Sequence, residues 1–517
     1  MSVTTTNTTT TTATTVHSTA AAVEWLRERV VSGTLHTDSR QVQAGDAFIA
    51  WPGGVNDGRA YVAQAVQRGA AACLVEQSGV EQFDLQGMPV VAMPGLKAAT
   101  GPIASAWFGQ PSEQLDVLAV TGTNGKTSIS WWLAQAVSQL CEAGVLQHRG
   151  CAMVGTLGVG IPPHQLDVTG MTTPDPVLLQ RAFRGFADAG YGACAIEASS
   201  IGIAEHRLAG ARIRLAIFTN FTQDHLDYHG SMDAYWAAKE ALFHWSGLQS
   251  AVVNLDDARG AALAASLAGG ALDLWTVSVD NSTQARLSAR SIRAGDRGLV
   301  FDIVEAGAEG AAVTLHSQVI GQYNVLNLLQ VMASLRVLGA SLEQAAQACA
   351  VLAAVPGRME QVSQADAPLV AIDYAHTPDA LDKALQALRP LAAQRGGQLW
   401  CVFGCGGNRD AGKRPLMGRI AQAGADEVVV TSDNPRGEQP QAIIDDILRG
   451  MTPDAHWHVQ ADRAAAIEEV VLRAASQDVV LLAGKGHEDY QEVAGVKLPF
   501  LDAAQAHAAL AKRKEQL

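Results

Sequence analysis

The chain has little cysteine, few aromatic residues and no long apolar run. Phe, Trp and Tyr make up 5% of its 517 residues, and its seven cysteines are scattered and odd in number, as expected where disulfides do not form. No segment approaches the ~18–20 apolar residues of a membrane-spanning helix. The first Lys or Arg is Arg27, so the N-terminus lacks the basic part of a signal peptide. We therefore expect a cytoplasmic protein without a membrane anchor.

Basic residues are also in deficit. Lys and Arg number 37 against 51 Asp and Glu, which leaves a formal net charge of −14. Binding to nucleic acid or to an anionic membrane depends on basic surface, so neither is expected as a partner. A small anionic substrate is compatible with this charge, because a few local cations are enough to hold one.

Apolar residues make up 48% of the chain, which is enough for several domains. Ten of the first fifteen residues are threonine, and such a segment buries too little apolar area to become ordered. Residues 1–16 are therefore predicted to be a disordered tail. Shifts in the pattern predict domains over 17–111, 112–355 and 356–517.

Strand-like apolar segments alternate with helical segments through the last two domains. The predicted strands end at Glu197, Asn220 and Asn254 in one domain and span 369–372, 398–403, 427–430 and 479–483 in the other. This alternation predicts an α/β fold with parallel sheets covered by helices on both faces. Ligands of such sheets bind at the carboxyl ends of the strands.

A glycine-rich segment follows the first strand of the 112–355 domain and precedes an amphipathic helix. It consists of Gly122, Thr123, Asn124, Gly125, Lys126 and Thr127. Its backbone N–H groups can surround phosphate oxygens, Lys126 can neutralise the β- and γ-phosphates, and Thr127 can ligate Mg²⁺. The spacing is two residues shorter than G-x-x-x-x-G-K-[ST]. The segment favours an ATP or GTP site over a glycine turn with a surface lysine.

Other polar residues follow strands in the same way. Glu197 is a candidate metal ligand, although by itself it equally suits an ordinary loop. The segment 219–230 holds two His and two Asp, including His225, but its spacing is not a zinc pattern and a solvated loop is the alternative. Cys401 and Cys405 are expected in the core and at a loop edge, not as metal ligands.

Taken together, these motifs resemble the Mur ligase family, whose members form amide bonds with ATP during peptidoglycan precursor synthesis. The resemblance runs from about Thr37 to Gln491. Its motifs are, in family order, 122–127, 197–200, 219–230, 321–327, 356–358, 373–378 and 484–488. It implies three domains: an N-terminal α/β domain for a UDP-sugar, a central P-loop-type ATPase sheet, and a Rossmann-like C-terminal domain for the incoming amino acid.

The resemblance also implies the nucleotide and metal sites. Residues 122–127 would bind ATP together with Asn324, Arg358 and Asp373. Lys239 would be carbamylated, since a carbamate offers the anionic oxygen ligands that an ammonium cannot. The Mg²⁺ ligands would be Thr127, Glu197, His225 and carbamylated Lys239, and the catalytic residues would be Lys126, Glu197, His225 and Lys239.

Within the family, the pattern is most similar to the enzymes that add the third amino acid of the peptide. The implied site for UDP-N-acetylmuramoyl-L-alanyl-D-glutamate comprises Thr37, Ser39, Gly54, Val55, Asn56, Thr172, Thr173, Ser199, Glu205 and Arg207. Two positions depart from the family: Ile201 replaces a usual histidine, and Glu205 replaces a common glutamine. A carboxylate near an acidic peptide would weaken binding unless it is protonated, solvated or paired, for example with Arg207.

The tetrapeptide Asp433-Asn434-Pro435-Arg436 is associated in the family with meso-2,6-diaminopimelate rather than L-lysine. Diaminopimelate carries a second carboxylate, which an arginine fork can bind through two hydrogen bonds while Asp and Asn accept the ammonium. Arg409, Gly484 and Glu488 complete the implied site.

The implied reaction converts the D-glutamyl γ-carboxylate into an acyl phosphate with ATP as co-substrate and Mg²⁺ as cofactor. The amine of diaminopimelate then attacks the acyl carbon. The enzyme is expected to be a monomer. Three alternatives stay open: the lysine-adding homologue, a ligase similar to folylpolyglutamate synthase, and a P-loop ATPase that ligates nothing.

Overall fold

The computed structural model describes residues 14–54, 56–164, 166–279, 285–295, 298–307, 312–453 and 456–516. The chain divides into two compact units. The first contains the described residues up to Ala119 together with His148–Ala216 and Ala238–Gln249. The second contains Val120–Gln147, Ile217–Ala237 and the described residues from Ser250 onward.

The N-terminal part is a small α/β layer in the first unit. Its elements are α1 (Thr19–Arg29), β1 (Leu35–His36), β2 (Ala47–Ala50), a 3₁₀ turn (Gly58–Tyr61), α2 (Val62–Gln67), β3 (Ala72–Glu76), a second 3₁₀ turn (Val80–Gln82), β4 (Val90–Met93) and α3 (Leu96–Trp107). The strands form a parallel sheet in the order β1-β2-β3-β4. Every residue of β2 is buried, as expected for a strand covered on both faces.

The expected disordered tail is partly wrong. Residues 1–13 lie outside the described residues, but residues 14–16 pair with the edge strand β4. The Ala92 N–H donates to the Thr14 carbonyl and the Val16 N–H donates to the Ala92 carbonyl, each at 2.9 Å. Val16 also packs against the apolar core of this sheet. Composition alone missed this pairing, because an edge strand offers hydrogen bonds to any extended backbone.

The middle part carries ten strands. Its elements are a 3₁₀ turn (Pro111–Glu113), β5 (Asp116–Thr121), α4 (Lys126–Glu142), β6 (Cys151–Gly155), β7 (Gly158–Gly160), α5 (Pro176–Asp188), β8 (Ala193–Glu197), α6 (Ser200–Ala204), β9 (Leu215–Phe218), α7 (Leu226–His229), α8 (Met232–Glu240), a 3₁₀ turn (Ala241–His244), β10 (Ser250–Asn254), α9 (Ala258–Leu267), β11 (Asp273–Ser278), β12 (Leu287–Gly295), β13 (Gly298–Glu305), β14 (Val313–Ser317), α10 (Tyr323–Val337) and α11 (Leu342–Ala350). The chain passes from the first unit into the second within β5 and within β9.

Strand order in the first unit is β9-β5-β8-β6-β7, and in the second it is β14-β13-β12-β11-β10-β9-β5. The pairs β6–β8 and β10–β11 are parallel and have the helices α5 and α9 between their strands, as strand–helix alternation predicted. The pair β11–β12 is also parallel, although no helix lies between these strands in the described residues. The pairs β12–β13 and β13–β14 are antiparallel, as is common for strands joined by short connections.

The C-terminal part is a doubly wound sheet in the second unit. Its elements are β15 (Glu360–Val362), β16 (Leu369–Asp373), α12 (Pro378–Arg395), β17 (Leu399–Phe403), α13 (Lys413–Gly424), β18 (Glu427–Val430), α14 (Pro440–Leu448), β19 (Trp457–Val459), α15 (Arg463–Arg473), β20 (Val479–Ala483), β21 (Tyr490–Val493), β22 (Val496–Pro499) and α16 (Asp502–Gln516). Six strands are ordered β15-β16-β20-β17-β18-β19, and only β15 pairs antiparallel; β21 and β22 form a separate hairpin.

Alternate residues of these strands enter two separate apolar cores. In β16, Leu369 and Ala371 pack with the helices α12 to α14, whereas Val370 and Ile372 pack with α15 and α16. Burying one such Leu or Ile side chain stabilises the fold by about 1.5–3 kcal/mol. Helices on both faces confirm the expected α/β class and leave the carboxyl ends of the strands open to ligands.

Among the described residues, no helix combines the length and the apolar character needed to cross a membrane.

Candidate active site

The segment 122–127 turns sharply between β5 and α4, and its glycines are required there. Gly122 has φ 144° and Gly125 has φ 89°. A Cβ at Gly122 would lie 1.8 Å from Thr219 Oγ1, and one at Gly125 would lie 2.7 Å from Asn327 Oδ1. Side chains are therefore excluded from both positions, and the backbone is left available to a ligand.

Neutral hydrogen bonds hold the loop in this shape. The Thr123 N–H donates to the Asn220 carbonyl at 2.8 Å, and the Asn124 N–H donates to Asn220 Oδ1 at 3.0 Å. Thr219 Oγ1 donates to the Asn124 carbonyl at 2.6 Å. The buried Tyr235 hydroxyl lies 3.2 Å from Thr123 Oγ1, and burial raises the pKa of this tyrosine, so it stays neutral.

Asn124 and Thr127 contact the C-terminal part of the same unit, whereas Lys126 contacts the loop itself. Arg358 Nη2 donates to Thr127 Oγ1 at 3.2 Å, and Asn124 Nδ2 donates to Asp379 Oδ2 at 3.1 Å. Lys126 Nζ donates to the carbonyls of Gly122 and Thr123 at 3.0 and 2.9 Å. An ammonium, a guanidinium and a hydroxyl thus gather at the N-terminus of α4, where a helix favours anions.

Asn324 contacts a residue that borders this loop, and Asp373 contacts the neighbour of such a residue. Asn327 Nδ2 donates to Asn324 Oδ1 at 2.8 Å, and the other amide atom of Asn327 faces Gly125. The Met359 N–H donates to Asp373 Oδ2 at 2.8 Å. Burial raises the pKa of Asp373 to about 6, although Arg358 works against this rise.

Several charged groups of the 219–230 segment and the C-terminal part face the loop. His225 Nε2 lies 3.5 Å from Asp224 Oδ2. Burial works to raise the pKa of Asp224, but His225, His376 and Lys126 outweigh it and the pKa is lowered. Burial also lowers the pKa of His376 to about 4, so this imidazole is neutral near pH 7.

A second cluster forms where β18 and β20 end. It contains Asp433, Asn434, Gly484 and Glu488, as expected. Asn434 Nδ2 donates to Glu488 Oε2 at 2.7 Å. Gly484 has φ 115°, and a Cβ there would lie 2.6 Å from Asp433 Oδ2. Burial and the nearby Asp433 raise the pKa of Glu488, which Lys485 opposes.

Arg436 reaches the same cluster from a strained backbone. Its φ is 52°, and its guanidinium donates to the Gly407 carbonyl at 3.0 Å and lies 3.5 Å from Glu492 Oε2. The Pro435 carbonyl lies against Gly407, with no room for a Cβ between them. Arg409 is exposed on the loop that contains Gly406, beside the Arg436 guanidinium. The Arg436 guanidinium and the exposed Arg409 thus lie at the border of a group of carboxylates.

A third group lies in the first unit, after β8. Thr173 Oγ1 donates to the Glu197 carbonyl at 2.7 Å and lies 2.9 Å from Ser199 Oγ. Glu197, only 1% exposed, accepts the Thr156 N–H at 2.7 Å, and Thr156 Oγ1 lies 3.0 Å from Thr172 Oγ1. The structure therefore brings these four predicted residues together.

Arg207 and Glu205 extend this group. Arg207 Nη1 donates to the Thr173 carbonyl at 2.9 Å. Glu205 was expected to be protonated, solvated or paired, with Arg207 as one possible partner. The structure places Lys97 of α3 beside it, with Nζ 2.6 Å from Glu205 Oε2. A Cβ at Gly101, one turn further along α3, would lie 2.0 Å from the Ala209 carbonyl, so helix and loop meet backbone to backbone. Sequence spacing does not relate residues 97 and 205, and they become neighbours only in the fold.

The residues expected to bind the UDP-sugar follow neighbouring strands. Thr37 and Ser39 come after β1, and Gly54 and Asn56 come after β2. Ser39 Oγ donates to Gln64 Oε1 at 2.9 Å, while Gly54 and Asn56 are exposed. Val55 lies outside the described residues. Because β1 and β2 are parallel neighbours, both loops leave the same edge of the sheet.

The residues expected to bind metal are divided between the units. Glu197 and Lys239 belong to the first, and Thr127 and His225 to the second. Lys239 is 1% exposed at the end of α8, although a lysine is rarely buried as an ammonium. No cluster of three or more His, Cys, Asp or Glu side chains suited to a metal occurs within the described part of the chain. The hydroxyl, carboxylate and carbamate oxygens of the expected set fit Mg²⁺ by ligand type.

Three family models match the chain. The model described as "Mur ligase family, catalytic domain" matches residues 34–100, "Mur ligase middle domain" matches 120–335, and "Mur ligase, glutamate ligase domain" matches 357–486. A protein of Acidovorax sp. (strain JS42), named UDP-N-acetylmuramoyl-L-alanyl-D-glutamate–2,6-diaminopimelate ligase, is 64% identical over 95% of this chain and 97% of its own length. The chain belongs to the Mur ligase family.

Solved structures agree with this assignment. A ligase of the same name as the Acidovorax protein is 34% identical, with a TM-score of 0.64 over 93% of this chain and 95% of its own. MurF ligase from Thermotoga maritima, in complex with ADP, has a TM-score of 0.65 over 94% of this chain and 99% of its own. At 16% identity, this second similarity shows the fold alone.

Membership of the Mur ligase family confirms the expected fold and the expected ligase class. The residue roles inferred from the family motifs stay predictions. Asn220, Tyr235, Asp379 and Lys485 support these sites but were not among the predicted site residues. The two His and two Asp of the 219–230 segment are a signal that could indicate Asn220, whereas no sequence signal indicates Tyr235 or Asp379.

Proposed function

We propose that this ligase joins meso-2,6-diaminopimelate to the D-glutamyl γ-carboxylate of UDP-N-acetylmuramoyl-L-alanyl-D-glutamate, with conversion of ATP to ADP and phosphate. The observation that supports this choice is the cluster of Arg436 with Asp433, Asn434 and Glu488. The Arg436 guanidinium can bind a carboxylate, and the nearby Asp433 and Glu488 carboxylates can accept hydrogen bonds from an ammonium. This combination suits a ligand that carries a second amino-acid group. L-Lysine has the ammonium at its far end but no second carboxylate.

ATP would bind at the loop 122–127. The N–H groups of the loop and the N-terminus of α4 would face its phosphates, and Lys126 would lie beside the γ-phosphate. Arg358 and Asn324 would hold the nucleotide, and the Asp373 carboxylate would accept hydrogen bonds from ribose hydroxyls. Mg²⁺ held by Thr127, Glu197, His225 and carbamylated Lys239 would supply positive charge to the phosphate oxygens.

The first chemical step would be attack of a γ-carboxylate oxygen on the γ-phosphorus, with ADP as the leaving group. Both reactants are anions, so the step needs cations that offset their repulsion, and Lys126 is one of them. The acidic peptide would be held in the first unit by Arg207, Thr173 and Ser199, whose side chains are already positioned by hydrogen bonds.

The second step would be attack of the deprotonated amine of diaminopimelate on the acyl carbon. A tetrahedral intermediate would then collapse, the bond to phosphate would break, and the nitrogen would lose its remaining extra proton. Arg436, Asn434 and Glu488 would hold the far head of the amino acid and thereby orient the amine. We place this reaction in the cytoplasm of the cell and in a monomer, as the few, scattered and odd-numbered cysteines of the sequence suggest.

The test is phosphate release by the purified enzyme with ATP, Mg²⁺ and the UDP-muramoyl dipeptide, with diaminopimelate and L-lysine compared side by side. We expect sustained release only when the dipeptide and an amino acid are both present, with diaminopimelate strongly preferred. Release with ATP alone would indicate an ATPase that ligates nothing. Equal or better use of L-lysine would indicate the lysine-adding homologue.

A further inference from the structure

A fully buried lysine lies beneath the proposed amino-acid site. Lys485 is 0% exposed and comes between Gly484 and Gly486, just after β20. Its Nζ donates to the Tyr490 carbonyl at 2.6 Å, to Asn434 Oδ1 at 3.2 Å and to Glu488 Oε2 at 3.2 Å. All three protons of the ammonium are therefore used by residues of this site.

These contacts determine which way the Asn434 amide points. Its Oδ1 accepts from Lys485 and also from the Glu492 N–H at 2.9 Å. Both partners can only donate, so the oxygen must face them and Nδ2 must face Glu488. Without Lys485, one of the two donors that hold this orientation would be lost.

The same ammonium compensates the buried charge of Glu488. One oxygen, Oε2, accepts from both Lys485 and Asn434. The charged or titratable groups that interact with this carboxylate are Lys485, Asp433, Arg463 and Tyr374, and His487 is its neighbour in the chain. Burial and Asp433 raise the pKa of Glu488, while Lys485 opposes them by stabilising the carboxylate.

We propose that Lys485 is a positioning residue for the amino-acid substrate, which keeps Glu488 ionised and, directly and through the Asn434 amide, holds the Glu488 carboxylate toward the ammonium of the bound amino acid. Its own ammonium does not touch the substrate, because it is enclosed by protein. This inference rests on the proposed function. It adds that the buried cation, through Glu488, controls the affinity for the ammonium of diaminopimelate and how that affinity depends on pH.

The test is Lys485→Met, which removes the charge and keeps an unbranched side chain. Since Glu488 then protonates at higher pH and Asn434 loses a charged donor, we expect KM for diaminopimelate to rise by about tenfold, as for the loss of a hydrogen bond to a charged group. The increase should grow as pH falls from 8 to 6. KM for ATP and kcat at saturating diaminopimelate should change little. Dividing variant by wild-type values at each pH cancels the titration of the substrate itself.

Asp478→Asn is the matched control. Asp478 is 4% exposed at the opposite end of β20, where it accepts from the Gln398 N–H at 2.8 Å and from Trp400 Nε1 at 3.0 Å. This variant should lower the thermal stability of the same sheet without changing the pH profile for diaminopimelate. An equal change of that profile in the control would mean that general loosening, and not the charge of Lys485, is the cause.

Two further variants keep the inference testable. Lys485→Gln replaces Lys485→Met if that protein does not fold, and failure of both to fold would make Lys485 a purely structural cation and overturn the proposal. Glu488→Gln should not show the pH-dependent increase in KM for diaminopimelate. Adding Lys485→Met to this variant should raise that KM little further, because Lys485 would act through Glu488. Additive effects would contradict this route.

The outcomes separate the two levels of inference. If the wild-type enzyme does not use diaminopimelate, the proposed function fails. If the wild type uses it and Lys485→Met shows an unchanged KM and pH profile, the proposed function stands and the role of Lys485 is refuted.

Discussion

The nucleotide loop and the amino-acid site lie in the same unit but are built in different ways. The loop 122–127 is shaped mainly by its backbone, through glycines without room for a Cβ, backbone N–H groups and the amide of Asn220. Charged side chains such as Lys126 and Arg358 add hydrogen bonds to this backbone framework. The amino-acid site is shaped by charge, since Lys485 lies against Glu488, and Glu492 lies near Arg436. The first therefore depends on the path of the backbone, and the second on the balance of charges.

This difference predicts different responses to change. A shape made by backbone contacts should tolerate shifts of pH but not an added methyl group. A site made by charges should fold with many substitutions yet lose affinity when one charge is moved or neutralised, because buried charges interact strongly.

The largest effect is expected from Gly122→Ala. The new Cβ would lie 1.8 Å from Thr219 Oγ1 at a φ of 144°, so loop or strand must move. We expect ATP affinity, measured by calorimetry, to fall more than about a hundredfold, corresponding to some 2.7 kcal/mol. Gly144→Ala is the control, since Gly144 also has a positive φ but open space around it. That variant should lose about 1 kcal/mol of stability and bind ATP normally. Normal ATP binding by Gly122→Ala would disprove the backbone argument.

A smaller but specific effect is expected from Arg436→Lys. The charge is kept, but the fork that donates to Gly407 and reaches the substrate is lost. KM for diaminopimelate should rise roughly 10- to 100-fold, as for loss of a charge-assisted hydrogen bond, with KM for ATP unchanged. Arg449→Lys, at an exposed pair with Asp446, should leave both constants unchanged. If Arg436→Lys kept the wild-type KM for diaminopimelate, a point charge would suffice there.

The contrast also explains what could be predicted from the sequence. The phosphate loop is contiguous, so six neighbouring residues carry its signal, and strand–helix alternation placed it correctly at the end of β5. The strands that end at Glu197 and Asn254 lie where they were predicted. Local periodicity and glycine spacing are properties of short segments, which a sequence displays directly.

Contacts between distant segments were not predictable in this way. Lys97 meets Glu205 across more than a hundred residues, and Tyr235 reaches Thr123 in the same manner. The antiparallel strands β12 to β14 and the pairing of Val16 with β4 depend on which edge is available. Lys485 falls within a family motif, yet only its burial shows what it supports.

Asp373 is a titratable group of the nucleotide site whose charge changes near neutral pH. Burial raises its pKa to about 6, so its carboxylate is ionised at pH 7 and becomes neutral as pH falls below 6. Ribose hydroxyls lose a charged acceptor, and KM for ATP should rise up to about tenfold between pH 7 and 5. Asp373→Asn should have a higher KM for ATP than the wild type at pH 7 and nearly the same KM at pH 5. The titration of ATP itself is the same in both assays. A ratio of the two KM values that does not change with pH would therefore contradict the assignment.

The smallest effect is expected at Lys97 and Glu205, a charged pair that is more exposed than the amino-acid site, with side chains 32% and 27% accessible. Solvent weakens such pairs to about 1 kcal/mol or less, so Lys97→Met should raise KM for the UDP-muramoyl dipeptide by no more than about fivefold. The cause would be the unpaired Glu205 carboxylate near an acidic peptide. Glu205→Gln should change little, and it should rescue Lys97→Met, because the double variant carries neither charge. An equal increase in KM with and without Glu205 would mean that Lys97 itself binds the substrate. Lys97 would then be a substrate contact like Arg436, and the solvent exposure of the Lys97–Glu205 pair would not explain why its substitution has the smaller effect on KM.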